Sequence, residues 1–429
     1  MIPILIQKEN NELFQKLMDR TQLNFTEINQ TVEDIMNQVK CYKDAALKRY
    51  TLAFDGVSLS NMKVTEIEID EAFKQINPQL KKYLIEALEN IKTYHQKQLI
   101  ESFQINQPNG VSLRQLVKPI DTVGIYVPGG TASYPSTVLM NAVPAKIAGV
   151  KRLIMVTPPN KEGKIKDSIL VAAKLAGVDE IYKVGGAQAI AALAYGTETI
   201  PKVSKIVGPG NIYVAMAKKL VSGYVGIDMI AGPSEVLIIA DDSANPDYIA
   251  ADLMAQAEHD ELAAAILLTD SKELANQVVR SIEHQMVRLE RKNIISQALS
   301  NYGAIVITDS INDAVAISNH IAPEHLEILT RNPEDILEKI ENAGAVFLGA
   351  YTPEPVGDYV AGPNHTLPTS GTAKFASALS TLDFLKKTSV VYYSKEALSA
   401  SSEAIVGLAN EEGLTAHANA IQVRFRRSS

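Results

Sequence analysis

The sequence predicts an α/β protein with two Rossmann-like parallel-sheet domains, a helical N-terminal region and a small C-terminal tail domain. The chain has 429 residues, which exceeds what one ordinary hydrophobic core supports. Short apolar runs alternate with helical patterns from residue 151 onward, and this alternation is typical of parallel sheets covered by helices. The number of alternating units indicates two sheets.

The N-terminal region, about 100 residues long, is predicted to be mainly helical. Asn77 and Pro78 form a helix start signal, because Asn can cap a helix and proline needs no N–H donor in the first turn. The apolar residues that follow recur at i, i+3 and i+4, which predicts one face buried in the core. These residues are Leu80, Tyr83, Leu84, Ala87, Leu88, Ile91 and Tyr94.

Strands are predicted in the middle of the chain. Asn109 and Gly110 lie between alternating segments of 103–128, and this pair predicts a hairpin turn. Eight short apolar runs predict the strands of the parallel sheets. They cover 152–156, 180–184, 205–207, 235–239, 265–268, 304–307, 326–329 and 345–348.

The pattern changes after residue 350. Segment 351–373 is rich in Gly, Pro, Thr and Ser, which predicts a long loop that is functional or disordered. A strand at 390–393 precedes a helix that begins at the Ser394 cap and ends before Gly413. The predicted domains are an N-terminal segment at 1–22, a first α/β domain at 23–125 and 236–379, a second at 126–235, and a tail domain at 380–429.

Composition limits the class of protein. The formal net charge of −8 disfavours a nucleic-acid partner, since an acidic surface repels phosphates. No stretch approaches the ~18 consecutive apolar residues of a membrane span. The single cysteine, Cys41, excludes a disulfide framework and a Cys-rich zinc site, and it fits a cytoplasmic location.

Seven histidines can be considered one by one. His95 and His284 lie in charged helical segments and are predicted to be surface residues. His320 ends a helix, where its ring can satisfy the terminal carbonyls, so no site role is predicted for any of the three. The other four lie at element ends or in loops, where sites are usually built. They are His259, His325, His365 and His417.

Gln256 and His259 are three residues apart, so they share a helix face and could bind one ion. The spacing alone favours a plainer interpretation, two exposed polar residues near a helix end. Glu324 and His325 could act as a base and its partner, but neighbours in a regular strand point to opposite faces. Both would reach one site only if the backbone is irregular after Pro323.

Four glycine-containing turns follow strands, and backbone amides in such turns can approach phosphates. The dinucleotide fingerprint G-x-G-x-x-G is absent, because Tyr213 occupies its last position after Gly208 and Gly210. The motif therefore supports a dinucleotide site only weakly, and tight turns between strand and helix are the favoured explanation for most of these glycines. The turns are Gly129-Gly130, Gly185-Gly186, 208–211 and 232–234.

Eight segments, in this order and spanning nearly the whole chain, resemble the histidinol dehydrogenase family. They are GIYVPGGTASYPSTVLM (124–140), VGGAQAIAALAYGT (184–197), GPGNIYV (208–214), AGPSE (231–235), MAQAEH (254–259), APEHLEI (322–328), GDYVAGPNHTLPTSGTA (357–373) and EEGLTAHANA (411–420). The resemblance implies oxidation of L-histidinol to L-histidine by two NAD⁺ in succession, with one zinc ion per subunit. It also implies a homodimer whose C-terminal tail crosses to the partner subunit.

The resemblance further assigns roles to individual residues. Glu324 and His325 would carry the proton transfers, with His325 as general base and Glu324 activating water. The metal ligands would be Gln256, His259, Asp358 and His417. These ligands and Glu324 would also contact the substrate, together with Ser234, His365 and Glu412. The NAD site would be lined by Tyr126, Gln188 and Asn211.

Three other functions compete with this interpretation. A zinc hydrolase would use similar ligands to activate water. A non-catalytic binding protein would be expected to lack Glu324 or His325, and both are present. An aldehyde dehydrogenase with a thiol nucleophile is disfavoured, because Cys41 lies far along the chain from every site motif.

Overall fold

The computed structural model describes residues 2–7, 26–129 and 133–426. Most of the predicted 1–22 segment and Gly130 of the first glycine turn therefore lie outside the described residues. The chain divides into two compact units. Unit 1 consists of Met1–Gln98 and Ile120–Phe384, and unit 2 of Leu99–Pro119 and Leu385–Ser429.

The strands and helices are numbered separately in chain order. The strands are β1 (Ile4–Ile6), β2 (Phe103–Asn106), β3 (Val111–Pro119), β4 (Thr122–Tyr126), β5 (Arg152–Thr157), β6 (Glu180–Lys183), β7 (Lys205–Val207), β8 (Gly226–Ile227), β9 (Glu235–Ala240), β10 (Ala264–Thr269), β11 (Gly303–Ile307), β12 (His325–Leu329), β13 (Ala345–Leu348) and β14 (Leu385–Tyr393). The helices are α1 (Thr26–Asp55), α2 (Glu66–Gln75), α3 (Pro78–Gln96), α4 (Pro135–Ile147), α5 (Asp167–Leu175), α6 (Gly186–Tyr195), α7 (Ile212–Val221), α8 (Pro246–Ala257), α9 (Lys272–Met286), α10 (Lys292–Asn301), α11 (Ile311–Ile321), α12 (Pro333–Leu337), α13 (Glu354–Tyr359), α14 (Lys395–Glu411) and α15 (Thr415–Gln422).

Unit 1 contains two parallel sheets, as the alternating pattern predicts. The large sheet has the order β1-β11-β10-β9-β12-β13, and the small sheet has the order β6-β5-β4-β7-β8. The small sheet starts in the middle with β4, builds one side through β5 and β6, and returns to build the other through β7 and β8. The large sheet does the same from β9, except that its edge strand β1 comes from the N-terminal end of the chain. The two directions separate between β9 and β12 and between β4 and β7, and such sheets commonly bind ligands beyond the carboxyl ends of the strands at these switch points.

The large sheet is buried on both faces. Alternate side chains of β9 point to opposite sides, so Val236 and Ile238 pack with α8 to α10 while Leu237 and Ile239 pack with α11. All six residues of β9 are buried, and this explains why the strand appears in the sequence as an almost continuous apolar run. All eight predicted parallel strands are present within a residue or two of their expected bounds.

Helix α3 begins as predicted, with Asn77 Oδ1 accepting a hydrogen bond of 2.8 Å from the Gln79 amide. Its apolar stripe is only partly core. Leu84, Ala87, Leu88 and Ile91 are buried, whereas Leu80, Tyr83 and Tyr94 are exposed by 37%, 55% and 45%. The prediction that the whole stripe is core was therefore wrong, and two of the exposed residues, Leu80 and Tyr83, line a cleft.

His95 is fully buried, so the prediction that it is a surface residue was wrong. It lies four residues after Ile91, on the buried face of α3, and its Nδ1 hydrogen-bonds Gln98 Oε1 at 2.7 Å. His284 is exposed, as predicted, and His320 lies in the last turn of α11, also as predicted. None of the helices within the described ranges is both long and apolar enough to cross a membrane.

Unit 2 contains the antiparallel sheet β14-β3-β2 and helices α14 and α15. Gly110 has a φ of 87° in the hairpin turn between β2 and β3, which explains the Asn-Gly signal. Ser394 caps α14, and Gly413 follows it with a φ of 72°, as predicted. Strand β14 begins at Leu385, earlier than the predicted 390, because its first half is too polar to be recognised.

Candidate active site

Glu324 and His325 lie at the amino end of β12, beside the start of β9. The turn before them contains Ala322 with a left-handed φ of 55°, so the backbone is irregular where the sequence requires it. The backbone of Glu235 holds both side chains: its N–H donates to Glu324 Oε2 at 2.8 Å, and its carbonyl lies 3.0 Å from His325 Nδ1. The two side chains therefore face one site, with 3.8 Å between Glu324 Oε2 and His325 Nδ1.

The hydrogen bond to Glu235 fixes the tautomer of His325. A carbonyl oxygen only accepts, so Nδ1 carries the proton and Nε2 carries the lone pair. His325 is 3% exposed, and its Nε2 has no hydrogen-bond partner among the described residues. Burial lowers the pKa of His325 to about 4, against the opposing charge of Asp358. The imidazole is therefore neutral near pH 7, and Nε2 is available to take a proton.

The pKa of Glu324 is shifted in the opposite direction from that of His325. Burial raises its pKa well above the ordinary value, although the hydrogen bond from the Glu235 amide favours the carboxylate. A carboxylate in this position is a stronger base than an exposed one, because the same burial that disfavours its charge favours uptake of a proton. Its Oε2 is already bound to the amide, which leaves Oε1 for a water molecule.

A cluster of N and O donors lies next to this pair. Ligand atoms of His259, Glu354 and Asp358 all lie within 4.8 Å of one another, which is close enough for one metal ion. Gln256 lies in the last turn of α8, just before His259, and the His259 N–H donates to its carbonyl at 3.2 Å. The Gln256 side chain is fully buried, so the plainer prediction of two exposed residues holds for His259 alone.

The buried amide of Gln256 supports a metal site. Neither Oε1 nor Nε2 has a hydrogen-bond partner within the described part of the chain, and leaving such a group unpaired in a core is costly. An ion bound by Oε1 would satisfy it. The donor set of imidazole, amide and carboxylate oxygen also suits zinc, which accepts N and O ligands. The residues present therefore fit the metal that the resemblance implies.

Glu354 is a site residue that the sequence analysis did not identify. It is buried at the first position of α13, four residues before Asp358, and its Oε1 lies 3.9 Å from His325 Nδ1. Burial and the nearby charge of Asp358 raise its pKa. The segment 351–373 was predicted to be a loop, and that prediction was wrong for the six residues of α13. The i, i+4 spacing of Glu354 and Asp358 was the signal available in the sequence.

Ser234 and His365 lie in the wall of a small cavity of about 120 Å³, together with Glu324. Burial lowers the pKa of His365, while Asp358 and a hydrogen bond to the Ser136 backbone oppose that shift. His365 Nε2 has no hydrogen-bond partner in the ranges that the structure describes. The cavity therefore presents a second neutral imidazole and a hydroxyl beside the Glu324 carboxyl.

A larger cleft of about 550 Å³ reaches the exposed His259. One wall is the cleft-facing side of α3, with Leu80 and Tyr83, and the opposite wall includes Tyr134 and Tyr359. These residues explain why part of the α3 stripe is left exposed. The cleft provides a path from solvent to the donor cluster.

The predicted NAD residues lie near the switch point of the small sheet. Tyr126 ends β4, and its hydroxyl accepts a hydrogen bond of 3.1 Å from the Gly186 amide at the start of α6. Gln188 lies in the first turn of α6 and is buried, with no partner for its Oε1 among the described residues. Asn211 caps α7, so its Oδ1 is occupied and its amide NH₂ is the group left for a ligand.

Gly208 lies in the turn between β7 and α7 and packs directly against the backbone of Tyr126. Its φ is 112°, and a Cβ built on it would lie 2.1 Å from the Tyr126 carbonyl oxygen, so only glycine fits. Its N–H donates to Asp228 Oδ2 at 2.8 Å, and its carbonyl accepts from Lys218 Nζ at 2.9 Å. Lys218 and Asp228 are themselves a buried ion pair. The turn that precedes Asn211 is therefore rigidly held.

The remaining two predicted residues belong to unit 2. Glu412 directly follows α14, and His417 lies in the first turn of α15. Both side chains are exposed. The carboxylate and the imidazole are thus accessible on the surface of their own unit.

Comparison with known proteins identifies the family. The family model described as histidinol dehydrogenase matches residues 18–425. The histidinol dehydrogenase of Clostridium acetobutylicum is 57% identical over 418 residues, 97% of each chain, and that of Bacillus cereus is 52% identical over 98% of this chain and 99% of the relative. The crystal structure of histidinol dehydrogenase from Elizabethkingia anophelis matches with a TM-score of 0.93 and 40% identity, covering 99% of this chain and 98% of that one. By sequence and by fold, the chain belongs to the histidinol dehydrogenase family.

Proposed function

We propose that the protein oxidises L-histidinol to L-histidine through L-histidinaldehyde, using two NAD⁺ and one zinc ion per subunit, as the last step of histidine biosynthesis. The observation that carries this proposal is the arrangement around Glu235. The backbone N–H and C=O of Glu235 orient a carboxyl and a neutral imidazole toward one point, beside the donor cluster of His259, Glu354 and Asp358. Such an arrangement suits proton removal from an alcohol and then from a hydrated aldehyde.

The zinc ligands would be Gln256, His259, Asp358 and the tail residue His417, with Glu354 as a further donor on the same helix as Asp358. When bound, zinc would supply a fixed point that orients the substrate, and NAD⁺ would supply the acceptor for each hydride. Gly357 helps to set the position of Asp358, because a Cβ there would lie 2.6 Å from the Phe347 ring. Helix α13 can therefore approach β13 closely.

In the first oxidation, His325 Nε2 takes the hydroxyl proton of histidinol as the carbinol carbon loses a hydride. The hydrogen bond from Nδ1 to the Glu235 carbonyl holds the ring and stabilises the imidazolium that forms. Ser234 and His365, in the wall of the small cavity, would hold the substrate with Glu412 of the tail. The products of this step are the aldehyde and one proton on His325.

In the second oxidation, Glu324 Oε1 removes a proton from a water molecule as its oxygen adds to the aldehyde carbon, and then gives that proton to the former carbonyl oxygen, which completes the gem-diol. The gem-diol that results then loses a proton to His325, which has released its first proton, as its carbon loses the second hydride. The carbonyl of the carboxylic acid product forms in that step. Each oxidation therefore releases one hydride and one proton.

The NAD site would be formed by Tyr126, Gln188 and Asn211. The Tyr126 hydroxyl contacts the first residue of α6, Gln188 lies in the first turn of that helix, and Asn211 caps α7. The positive ends of two helix dipoles are therefore available to a pyrophosphate. Gly208 keeps the last β4 residue and the β7 turn in contact. A cytoplasmic location fits this NAD-linked chemistry and the single cysteine.

We further propose a homodimer in which Glu412 and His417 act in the partner's site. Mixed dimers test this: one subunit carries His325→Asn and the other carries His417→Ala. A crossing tail leaves one of the two sites with an intact core and an intact tail, so the mixture regains activity that neither variant has alone. A mixture that stays inactive would contradict the crossing.

The catalytic proposal is tested by adding L-histidinol and NAD⁺ to the purified protein and following NADH absorbance. NADH formation is the expected result. A zinc hydrolase would bind the metal and form no NADH, and such an outcome would refute the proposal.

A further inference from the structure

Glu327 is a fully buried acid in the middle of a parallel strand. It lies on β12 two residues after His325, so its side chain leaves the strand on the same face as the catalytic imidazole. Every other residue of β12 after His325 is a leucine or isoleucine. A carboxyl group in such a strand is costly unless its oxygens are satisfied, and its contacts therefore indicate why it is tolerated.

One contact is with the start of α13. Glu327 Oε1 accepts a hydrogen bond of 2.9 Å from the backbone N–H of Glu354, the first residue of the helix. Among the described residues, α13 has no side-chain cap from its own N-cap residue, which is Pro353. Glu327 thus caps α13 from a neighbouring strand and satisfies an N–H that the helix itself leaves free. Asp358 lies one turn further along this helix.

The second contact is with α8. The carboxyl groups of Glu327 and Asp252 lie within hydrogen-bonding reach of each other. Asp252 is half-buried and lies one helical turn before Gln256, on the same face of α8. Oε2 of Glu327 has no N–H or hydroxyl partner in the described ranges, so a proton shared with Asp252 is the hydrogen bond available to it.

Two carboxylates this close would repel strongly in a buried place, so one of them holds a proton. A protonated and an ionised carboxyl form a short, directional hydrogen bond. The pair therefore links α8 to β12 and, through the Glu354 N–H, to α13.

We propose that Asp252 and Glu327 are positioning residues that hold the two ligand-bearing helices, α8 and α13, at the spacing that a metal ion requires. This inference rests on the proposed metal site. Gln256 and His259 lie at the end of α8, and Glu354 and Asp358 lie in α13. The bridge is the direct polar connection between the two helices through β12, and it touches neither substrate nor metal.

The test measures zinc affinity and not activity alone. In Glu327→Leu the cap of α13 and the link to α8 are both lost, and zinc affinity, measured by competition with a chelating dye, should fall by about 10–100-fold. In Glu327→Gln the side-chain oxygen still accepts from the Glu354 N–H and the amide donates to Asp252, so zinc affinity should stay within about threefold of the parent. The absorption spectrum of the Co²⁺-loaded protein should change in the Leu variant and be restored in the Gln variant.

Two controls make the outcome decisive. Thr269→Val removes a buried hydroxyl from β10 of the same sheet, away from the bridge, and should leave zinc affinity unchanged. Asp252→Leu removes the contact with Glu327 at a half-buried position, so it replaces Glu327→Leu as the test if that variant fails to fold. The melting temperature of the metal-free protein shows whether each variant is folded. If the parent protein binds zinc and neither Leu variant loses zinc affinity, the positioning role of Asp252 and Glu327 is refuted and the metal site stands. A parent protein that binds no zinc would overturn the metal site and the bridge together.

Discussion

Glu324 and His325 should have separable roles, and replacing each one tests this. Glu324→Gln keeps an oxygen for the hydrogen bond from the Glu235 amide but removes the capacity to take a proton from water. His325→Asn keeps a donor for the Glu235 carbonyl but removes Nε2. Both substitutions are close in shape to the original side chain, so the buried surroundings should stay intact.

The expected size of the effect follows from the geometry. His325 Nε2 is a neutral base that is buried from solvent, and loss of a positioned general base lowers the rate by about 10²–10⁴-fold. This corresponds to about 3–5 kcal/mol in the activation free energy. His325→Asn should lose this factor in both oxidations. Glu324→Gln should lose it in aldehyde oxidation, and alcohol oxidation should stay within about tenfold of the parent enzyme, since no water is activated in that step.

Single-turnover NADH formation distinguishes the two steps. The zinc-loaded protein is mixed with NAD⁺ and either L-histidinol or L-histidinaldehyde, and the first absorbance rise is followed in each case. Glu324→Gln should give a near-normal first rise with histidinol and a slow one with the aldehyde. Equal losses with the two substrates would refute the division of roles, and full aldehyde oxidation by Glu324→Gln would refute Glu324 as the base that activates water.

Four further predictions follow from individual contacts. Lys218→Met leaves the buried Asp228 carboxylate without its ion partner, so the free energy of unfolding, measured with urea, should fall by about 3–5 kcal/mol, and an unchanged value would contradict the buried pair. Gly208→Ala should raise the Kd for NAD⁺ at least tenfold in equilibrium dialysis, because its Cβ has no room and its φ is 112°; normal binding would contradict the role of this turn. Burial lowers the pKa of His95 below its unfolded value, so its contribution to stability is complete above pH ~6.5 and declines as the pH falls. His95→Gln should therefore flatten the acid side of the stability curve by up to about 1.4 kcal/mol per pH unit in urea titrations, and an unaltered slope would contradict this. Cys41→Ser should keep most of its turnover, since the exposed thiol has no role in the chemistry, and a loss of several orders of magnitude would contradict that.

The sequence predicts the parallel sheets well for a physical reason. Strands that are buried on both faces appear as continuous apolar runs, as β9 and β10 do. Such a run can be recognised in the sequence without knowing which strands pair with it. Cap and turn signals are equally local. Asn77, Asn109-Gly110 and Ser394 mark their elements because the stabilising contact spans only a few residues.

Features that depend on tertiary contacts were not predictable from local pattern. Helix α13 is six residues long and receives its cap from Glu327 on β12, not from a residue next to it in the chain, so its segment resembles a loop in the sequence. His95 was assigned to the surface because its neighbours are charged, yet it lies on the helix face that carries Ile91. The first half of β14 is polar on both faces and therefore gave no strand signal.

The site itself shows the same division. The sequence alone suggested Glu324 and His325 as a possible general base and its partner. In the structure, the backbone of Glu235 holds both side chains toward one point. The convergence of Gln256, His259 and Asp358 was expected only from the family resemblance, because ligands on separate elements have no fixed spacing in a chain. Glu354 was missed for a different reason: its segment resembles a loop, so its i, i+4 spacing from Asp358 was not recognised as a shared helix face.

The central claim is a zinc-dependent oxidation of histidinol in two steps. The most direct measurement is the number of NADH molecules formed per histidinol consumed, before and after removal of metal by a chelator and after addition of zinc. Two NADH per histidinol, loss of activity with the chelator and recovery with zinc are the expected results. One NADH per histidinol would contradict the role of Glu324 in the second oxidation, and no NADH from zinc-loaded protein would refute the proposed oxidation of histidinol.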